Sequence, residues 1–451
     1  MNIKTINPYT NKEIKTYALH SNEEIDQIIE NVYNSYFKWK KIPFDIRESF
    51  LLNISNQLEC NVKQYAEIIT NEMGKPIAES IAEVKKSALV CDYYAKNAKH
   101  FLNSDYIETE NSNSYVKYDP LGIIFGIMPW NFPFWQVFRF IAPALMAGNV
   151  CLLKHASNVS QCSIAINSLI NEYSPIKNIF RNLLIHSNSV DSIICDKRIA
   201  AVTLTGSEIA GASVAKSAGK NLKKCVLELG GSDPFIVLAD ADIKQSAKSA
   251  INGRFFNSGQ SCIAAKRFIV HKDIYENFVN EIKIHFKSLK IGDPLDLETN
   301  IGPLAKIEFA KELDCIVQDS IQDGANLVLG GGVNKCFYEP TLLTDVTSDM
   351  LVFKNETFGP VMSICKAKTN SHAIELANKS DFGLSSSIWT SDINYAEKIT
   401  SDIDCGAVFI NKISHSDPRL PFGGIKKSGY GRELSKQGIM EFINCKTVVV
   451  G

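Results

Sequence analysis

The apolar residues in the first hundred positions recur with the period of an α-helix. Residues 22–38 place one apolar stripe on a single helical face, with Ser21 or Asn22 available as the cap; the stripe consists of Ile25, Ile28, Ile29, Val32 and Tyr36. The same period runs through residues 46–58, 62–73 and 77–102, with an interruption at Gly74-Lys75-Pro76. This part of the chain is predicted to be helical, and no catalytic group is evident in it.

After this helical part the pattern changes twice. Residues 103–118 are polar and turn-rich with some alternating apolar positions, which predicts a two-stranded excursion. From Leu121 onward, short apolar runs alternate with helical periods. The predicted strands are 122–127, 150–154, 182–185, 200–205, 235–238, 268–271 and 361–366, and the predicted helices are 134–146, 162–173, 243–256, 274–289 and 371–378. This alternation is typical of parallel sheets covered by helices, so the predicted fold class is α/β.

Composition and charge narrow the possible functions. The 451 residues are 45% hydrophobic, enough to bury a large core, and 48 basic residues balance 49 acidic ones. Without a basic excess, neither nucleic acid nor an anionic membrane is an expected partner. The N-terminus lacks the apolar segment of a secretory signal, and the longest apolar stretch, 132–145, is broken by polar residues and prolines. The 12 cysteines include no C-x-x-C pair, so the chain is expected in a reducing cytoplasm, without a metal site.

Two side chains between Leu227 and Lys266 are the candidates for chemistry. Cys262 follows small residues and precedes Ile263-Ala264-Ala265, so no bulky sequence neighbour covers its sulfur. A free thiol is about 3% thiolate at neutral pH, and the thiolate is a strong nucleophile. Glu228, before Gly230-Gly231, could handle a proton or a water. The alternative is that Cys262 is a small buried apolar residue and that Glu228 caps a turn.

Several motifs in a fixed order resemble the aldehyde dehydrogenase superfamily. Cys262, in Gly259-Gln260-Ser261-Cys262, follows Glu228 of Glu228-Leu229-Gly230-Gly231 by 34 positions. The other matching segments are Pro129-Trp130-Asn131-Phe132-Pro133, Lys154, Thr205-Gly206-Ser207, Glu356-Thr357-Phe358-Gly359-Pro360 and Pro421-Phe422-Gly423-Gly424-Ile425-Lys426-Lys427-Ser428-Gly429. The resemblance covers nearly the whole chain and implies NAD(P)-dependent aldehyde oxidation.

The resemblance also assigns catalytic roles. Cys262 would attack the aldehyde, and the amide of Asn131 with the N–H of Cys262 would stabilise the oxyanion. Loss of hydride to the nicotinamide would leave a thioester on Cys262, and Glu228 would be the base for its hydrolysis. Relatives that acylate coenzyme A lack this glutamate, so a free carboxylic acid is the expected product.

The cofactor contacts are expected in three segments. A strand that runs into Gly206-Ser207 and opens a helix presents free N–H groups to an anion, although such glycines can simply close a turn. The resemblance implies that NAD or NADP is held by Trp130, Lys154, Ser157, Gly206, Ser207, Gly211, Glu356 and Phe358. Family members that prefer NAD often carry glutamate where Ser157 stands, so NADP should be tolerated and could be preferred.

The segment around Lys154 points to a subgroup. His155, in place of a proline, together with Asn158-Val159, resembles short bacterial members that oxidise succinate semialdehyde. Such a substrate carries a distal carboxylate. Arg139 lies eight residues after Asn131 on the predicted helix, about two turns along, and is the candidate partner, unless it pairs with an acidic protein group. Phe132, Trp135 and Phe138 are candidate apolar walls, and Ser261 and residues 414–417 are candidate helpers.

The resemblance further implies the domain organisation. The expected arrangement is two Rossmann-like parallel-sheet domains, for cofactor (residues 1–102 and 119–229) and catalysis (230–432), plus a small β oligomerisation arm (103–118 and 433–451). A homodimer or homotetramer is expected. Two alternatives stay open: the same chemistry on another small aldehyde, and a non-catalytic structural protein on the same fold. The joint presence of Cys262, Glu228 and Asn131 favours the enzyme.

Overall fold

The computed structural model describes residues 2–451, and its helices follow the predicted periodicity closely. Helix α1 begins with a capping box in which the Glu24 N–H donates to Ser21 Oγ (3.2 Å) and the Ser21 N–H donates to Glu24 Oε2 (2.7 Å). Helix α3 ends at Gly74, whose φ of 80° is easily adopted by glycine. The helices are α1 Asn22–Trp39, α2 Phe44–Cys60, α3 Val62–Met73, α4 Ile77–Phe101, α5 Trp135–Ala147, α6 Ser160–Tyr173, α7 Val190–Cys195, α8 Glu208–Lys220, α9 Ile243–Phe255, α10 Tyr275–Phe286, α11 Ile307–Gln322, α12 Leu351–Lys354, α13 Asn370–Asn378, α14 Ile393–Ile399 and α15 Ser435–Met440.

The strands build two large sheets and several small ones. They are β1 Asn2–Asn7, β2 Lys12–Ala18, β3 Asp105–Tyr106, β4 Asn113–Pro120, β5 Ile123–Met128, β6 Val150–His155, β7 Phe180–Asn182, β8 Ile199–Thr205, β9 Lys224–Glu228, β10 Asp233–Val237, β11 Ala265–His271, β12 Asn326–Leu329, β13 Val333–Asn334, β14 Phe337–Tyr338, β15 Thr341–Thr344, β16 Val361–Ala367, β17 Phe382–Gly383, β18 Ser385–Trp389, β19 Ala407–Ile410, β20 Ile425–Lys426, β21 Gly429–Tyr430 and β22 Ile443–Val450.

The two large sheets confirm the α/β fold class. The first has the order β21-β9-β8-β5-β6-β7 and is parallel except for β21. The second has the order β12-β15-β16-β11-β10-β18-β19 and is parallel except for β12. Their central strands are buried runs of apolar residues because helices cover both faces. Glu228 ends β9 of the first sheet, and Cys262 lies just before β11 of the second.

The hydrophobic core follows this division. One large cluster joins helices α1–α6 to the first sheet, and two smaller clusters pack on the second sheet. Cys262 contacts the edge of the large cluster although it belongs to the chain segment of the second sheet. The nucleophile candidate therefore lies where the two halves of the molecule meet.

The third, smaller sheet contains the predicted two-stranded excursion. Strand β4 pairs antiparallel with β3 and, over its whole length, with β22, from Ile443 opposite Pro120 to Val450 opposite Asn113. None of the helices among residues 2–451 is long and apolar enough to cross a membrane.

Some elements differ from the sequence expectation. The strand predicted at 182–185 lies earlier in the chain, at Phe180–Asn182. Its position is set by its pairing with β6 in the sheet rather than by the run of apolar residues. The N-terminal hairpin of β1 and β2 was not predicted, because its strands are mostly polar and exposed. Helix α11 was also not predicted.

Candidate active site

A strained loop presents Cys262. Asn257 and Ser258 both have positive φ, 54° and 53°, a conformation that costs non-glycine residues about 1–3 kcal/mol each. Hydrogen bonds stabilise Asn257 in this conformation. Its Nδ2 donates to the carbonyls of Asn131 (2.9 Å) and Gln260 (3.0 Å), and its N–H donates to Glu79 Oε2 (2.6 Å). A loop fixed by so many contacts presents the thiol with little freedom of position.

Cys262 lies at the junction of two cavities. The first cavity contains five of the expected cofactor residues, namely Trp130, Gly206, Ser207, Glu356 and Phe358, together with Asn131, the expected oxyanion donor. The second contains four of the expected substrate residues, namely Phe132, Trp135, Arg139 and Ser261, together with Ser414, His415 and Ser416. Among the residues of the chain that the structure describes, only Cys262 and Gln136 line both. Phe138 does not line the second cavity; it is fully buried and packs on Phe134.

Asn131 is held in a fixed orientation beside the thiol. Its side chain is 4% exposed, Nδ2 donates to the Gln260 carbonyl (3.1 Å), and Oδ1 accepts from Gln136 Nε2 (3.0 Å). An amide nitrogen has two hydrogens, and one of them is used by Gln260. The other has no acceptor among residues 2–451.

Burial keeps the resting thiol protonated. Burial raises the pKa of Cys262 to about 12, while the positive charges of Lys266 and Arg139 oppose the rise. Lys266 is fully buried; its Nζ donates to the carbonyls of Ser261 (2.9 Å) and Cys262 (2.6 Å) and lies 3.2 Å from Glu356 Oε1. The sequence analysis did not identify this lysine as a site residue. It fixes the backbone of Cys262, and its positive charge stabilises the thiolate form of that residue.

Glu228 lies in a buried cluster of charged side chains and lines neither cavity. Burial, and then the neighbouring Glu433 carboxylate, raise the pKa of Glu228 well above its usual value, whereas Arg139 and Arg432 oppose the rise. Arg139 forms a buried ion pair with Glu433, and its NH2 group donates to Thr205 Oγ1 (3.3 Å). The arginine expected at a substrate carboxylate thus has a protein counterion and also borders the second cavity.

The first cavity has the walls and donors that a dinucleotide needs. Trp130 stacks on Phe309 with ring centroids 5.0 Å apart, and the edge of Phe358 meets Trp130 at 5.7 Å, which gives an apolar slot. Helix α8 begins beside this slot, with Ser207 as the residue that caps it. Glu356 accepts from the Gly231 N–H (3.1 Å) and from Lys266, so its carboxylate is fixed.

Gly211, Lys154 and Ser157 lie outside the cavity itself. A Cβ at Gly211 would be 2.6 Å from the Leu229 side chain, so the glycine lets α8 pack against that residue. Burial and the neighbouring Lys306 lower the pKa of Lys154. Ser157 opens the turn after β6, and within residues 2–451 its hydroxyl has no hydrogen-bond partner.

Helix α4 belongs to the helical N-terminal part, in which the sequence showed no catalytic group, yet it contributes charged side chains to the site. Its first turns direct Glu79, Glu83 and Lys86, spaced at four and three residues, toward the site. Glu79 accepts from the Asn257 N–H, and Glu83 accepts from the N–H groups of Phe134 (2.8 Å) and Trp135 (3.1 Å), capping α5. The spacing was visible in the sequence, but charges on an amphipathic helix usually face water.

Comparison with known proteins agrees with this geometry. The model of the aldehyde dehydrogenase family matches residues 1–448. A probable succinate-semialdehyde dehydrogenase [NADP(+)] of Synechocystis sp. is 47% identical, with 99% of each chain covered. Succinate-semialdehyde dehydrogenase [NADP(+)] 1 of Mycobacterium tuberculosis is 45% identical, also with 99% of each covered. The crystal structure of succinic semialdehyde dehydrogenase from Streptococcus pyogenes in complex with NADP+ superposes with a TM-score of 0.97, at 39% identity and 99% coverage of both chains. This chain therefore belongs to the aldehyde dehydrogenase family.

Proposed function

We propose that this enzyme oxidises succinate semialdehyde to succinate, with NADP as its preferred cofactor and water as the second substrate. The observation that carries the proposal is that Cys262 lines both cavities, one with an apolar slot beside a helix N-terminus and one with cationic side chains. An aldehyde carbon at the sulfur would be reached from one side by the substrate and from the other by the cofactor. The names of the relatives support the choice of aldehyde and cofactor.

The first step is attack of the Cys262 sulfur on the aldehyde carbon. The thiol loses its proton to solvent as it attacks, and Lys266 and Arg139 favour the resulting negative charge. The substrate oxygen becomes an oxyanion, which accepts hydrogen bonds from Asn131 Nδ2 and the Cys262 N–H. The product of this step is a thiohemiacetal on Cys262.

The second step converts the thiohemiacetal into a thioester. A nicotinamide bound in the first cavity would supply the acceptor for the hydride that leaves the former aldehyde carbon. Asn131 and the Cys262 N–H release the oxygen as the carbonyl re-forms, and the fixed Cys262 backbone keeps this carbon at the junction of the cavities. No further protein group has to move for this step.

Hydrolysis of the thioester requires Glu228. Its carboxyl lies in the cluster with Arg139 and Glu433, so it must rotate toward Cys262 to take a proton from water. Glu228 must be ionised to accept that proton, and once ionised, a carboxylate whose pKa is raised by burial is a stronger base than a solvated one. Water then adds to the thioester carbon, the sulfur leaves, and free acid is released.

The residues around the first cavity fit the phosphorylated dinucleotide. Glu356 is held for a ribose hydroxyl, and Lys154 lies at the end of β6, where the adenosine ribose is expected. The free hydroxyl of Ser157 can donate to a 2′-phosphate, which a carboxylate at the same place would repel. Lys306, close to Lys154, adds positive charge on this side.

The domain division and the assembly belong to the same proposal. We assign residues 1–102 and 119–229 to the cofactor domain, 230–432 to the catalytic domain, and 103–118 and 433–451 to an oligomerisation arm. Apolar side chains are exposed on that arm, which favours association into a homodimer or homotetramer; they are Tyr106, Ile107, Val449 and Val450. We place the enzyme in the cytoplasm, in keeping with its cysteine usage.

A steady-state screen tests the proposed function. Succinate semialdehyde, other semialdehydes and simple aldehydes are compared with NAD and with NADP, and kcat/KM is expected to be highest for succinate semialdehyde with NADP. Cys262→Ala is the matched control and should have no dehydrogenase activity with any pair. A higher kcat/KM for an uncharged aldehyde would refute the substrate assignment, and full activity of Cys262→Ala would refute the mechanism.

A further inference from the structure

The second cavity contains two cationic side chains with different surroundings. Arg139 is 3% exposed and has Glu433 as its counterion. Lys86, on α4, also lines the cavity, and among residues 2–451 no carboxylate oxygen lies within 4.0 Å of its Nζ. Lys86 is therefore the cationic side chain of this cavity that, among residues 2–451, has no carboxylate counterion.

The position of the Lys86 ammonium is fixed by neutral groups. Nζ donates to Ser416 Oγ (2.7 Å) and lies 4.4 Å from the ring centroid of Trp135, in cation–π geometry. Ser416 and Trp135 line the same cavity. A lysine held in this way against an apolar wall loses little conformational entropy when an anion docks on it.

The nearest acidic side chains are already engaged. Glu83 pairs with Lys75 and accepts the first N–H groups of α5, and Asp417 is bound by Arg419 at 2.7 Å. Burial, followed by the charge of Arg139, lowers the pKa of Lys86 to about 8, with Asp417 and Glu83 opposing. Lys86 therefore still carries a charge at neutral pH, and burial leaves that charge poorly solvated.

We propose that Lys86, with Ser416 beside it, binds the distal carboxylate of the substrate and determines selectivity for aldehydes that carry an acid group. A carboxylate there would accept hydrogen bonds from Nζ and from the Ser416 hydroxyl while its methylene chain packs on Trp135 and Phe132. Arg139 lines the same cavity, but its charge is balanced by Glu433. This inference rests on the proposed function, since it assumes an acidic aldehyde.

The test compares succinate semialdehyde with its methyl ester, which has the same chain but no charge. In Lys86→Met, kcat/KM for the acid is expected to fall by about 10- to 100-fold through KM, and kcat/KM for the ester should change by less than about threefold. Lys86→Arg should restore most of the preference for the acid. Lys85→Met, at an exposed neighbour on the same helix, is the matched control and should behave as wild type.

The outcomes separate this inference from the proposed function. A wild-type enzyme that does not prefer the acid over the ester would refute the substrate assignment itself. The role of Lys86 would be refuted, and the substrate assignment kept, if the wild type prefers the acid and Lys86→Met keeps that preference. The same holds if the preference is lost only in Arg139→Met. A parallel fall for both substrates would make Lys86 structural. Lys86→Gln replaces the methionine variant if thermal unfolding shows that the latter does not fold.

Discussion

Removing the Asn131 amide should slow the first chemical step without disabling the nucleophile. In Asn131→Ala the donor to the oxyanion is lost, while the loop that carries Cys262 keeps its other contacts. The Gln260 carbonyl still accepts from Asn257 Nδ2 (3.0 Å), and Asn257 Nδ2 still binds the backbone carbonyl of residue 131 (2.9 Å). The substitution therefore removes the oxyanion donor while Asn257 still tethers the loop.

The magnitude follows from the structure. Loss of one oxyanion donor costs about 100- to 1000-fold in kcat, or roughly 3–4 kcal/mol. Gln136 Nε2 also loses its acceptor, which should destabilise the fold by about 1–3 kcal/mol. Gln136→Met is the matched variant: it keeps the Asn131 donor and removes only its tether, so about a tenfold loss in kcat is expected.

The assay follows reduced cofactor in a single turnover and, separately, the alkylation of Cys262 by iodoacetamide. Asn131→Ala should form reduced cofactor slowly and be alkylated at the wild-type rate. A kcat within about threefold of wild type would refute the oxyanion role. An alkylation rate that falls as far as kcat would show instead that Asn131 positions the thiol.

Three further outcomes are expected. Glu228→Gln should retain a burst of reduced cofactor and lose steady turnover, since only hydrolysis needs the base; undiminished turnover would contradict this. Ser157→Glu should raise KM for NADP far more than KM for NAD, because a carboxylate would face the 2′-phosphate, and equal changes would place Ser157 elsewhere. Burial raises the pKa of Glu79 from 4.5 to about 8, so its stabilising effect is complete below pH 4.5 and lost as the pH rises through 8. Thermal unfolding of Glu79→Gln should therefore show a smaller fall in Tm between pH 5 and 8 than wild type, and identical falls would contradict the assignment.

The fold class and most of the helices and strands could be predicted from the sequence. The spacing of apolar residues distinguishes helices such as α3, predicted and found at residues 62–73, from the buried strands. The spacings differ because each kind of element must bury one continuous face. The sequence also indicated the family, through motifs whose residues are fixed by backbone geometry and chemistry, such as Gly259, whose Cβ would overlap the Gly359 carbonyl.

Which charged side chains face the site depends on the tertiary structure. On α4, Lys85 and Lys86 are adjacent and chemically identical in the sequence, yet one is exposed and the other lines the cavity beside Cys262. The burial of Lys266, the ion pair of Arg139 with Glu433 and the left-handed turn at Asn257 likewise depend on segments far apart in the chain. The spacing of apolar residues predicts whether a side chain is buried or exposed. Which residues it contacts depends on how the sheets and helices pack.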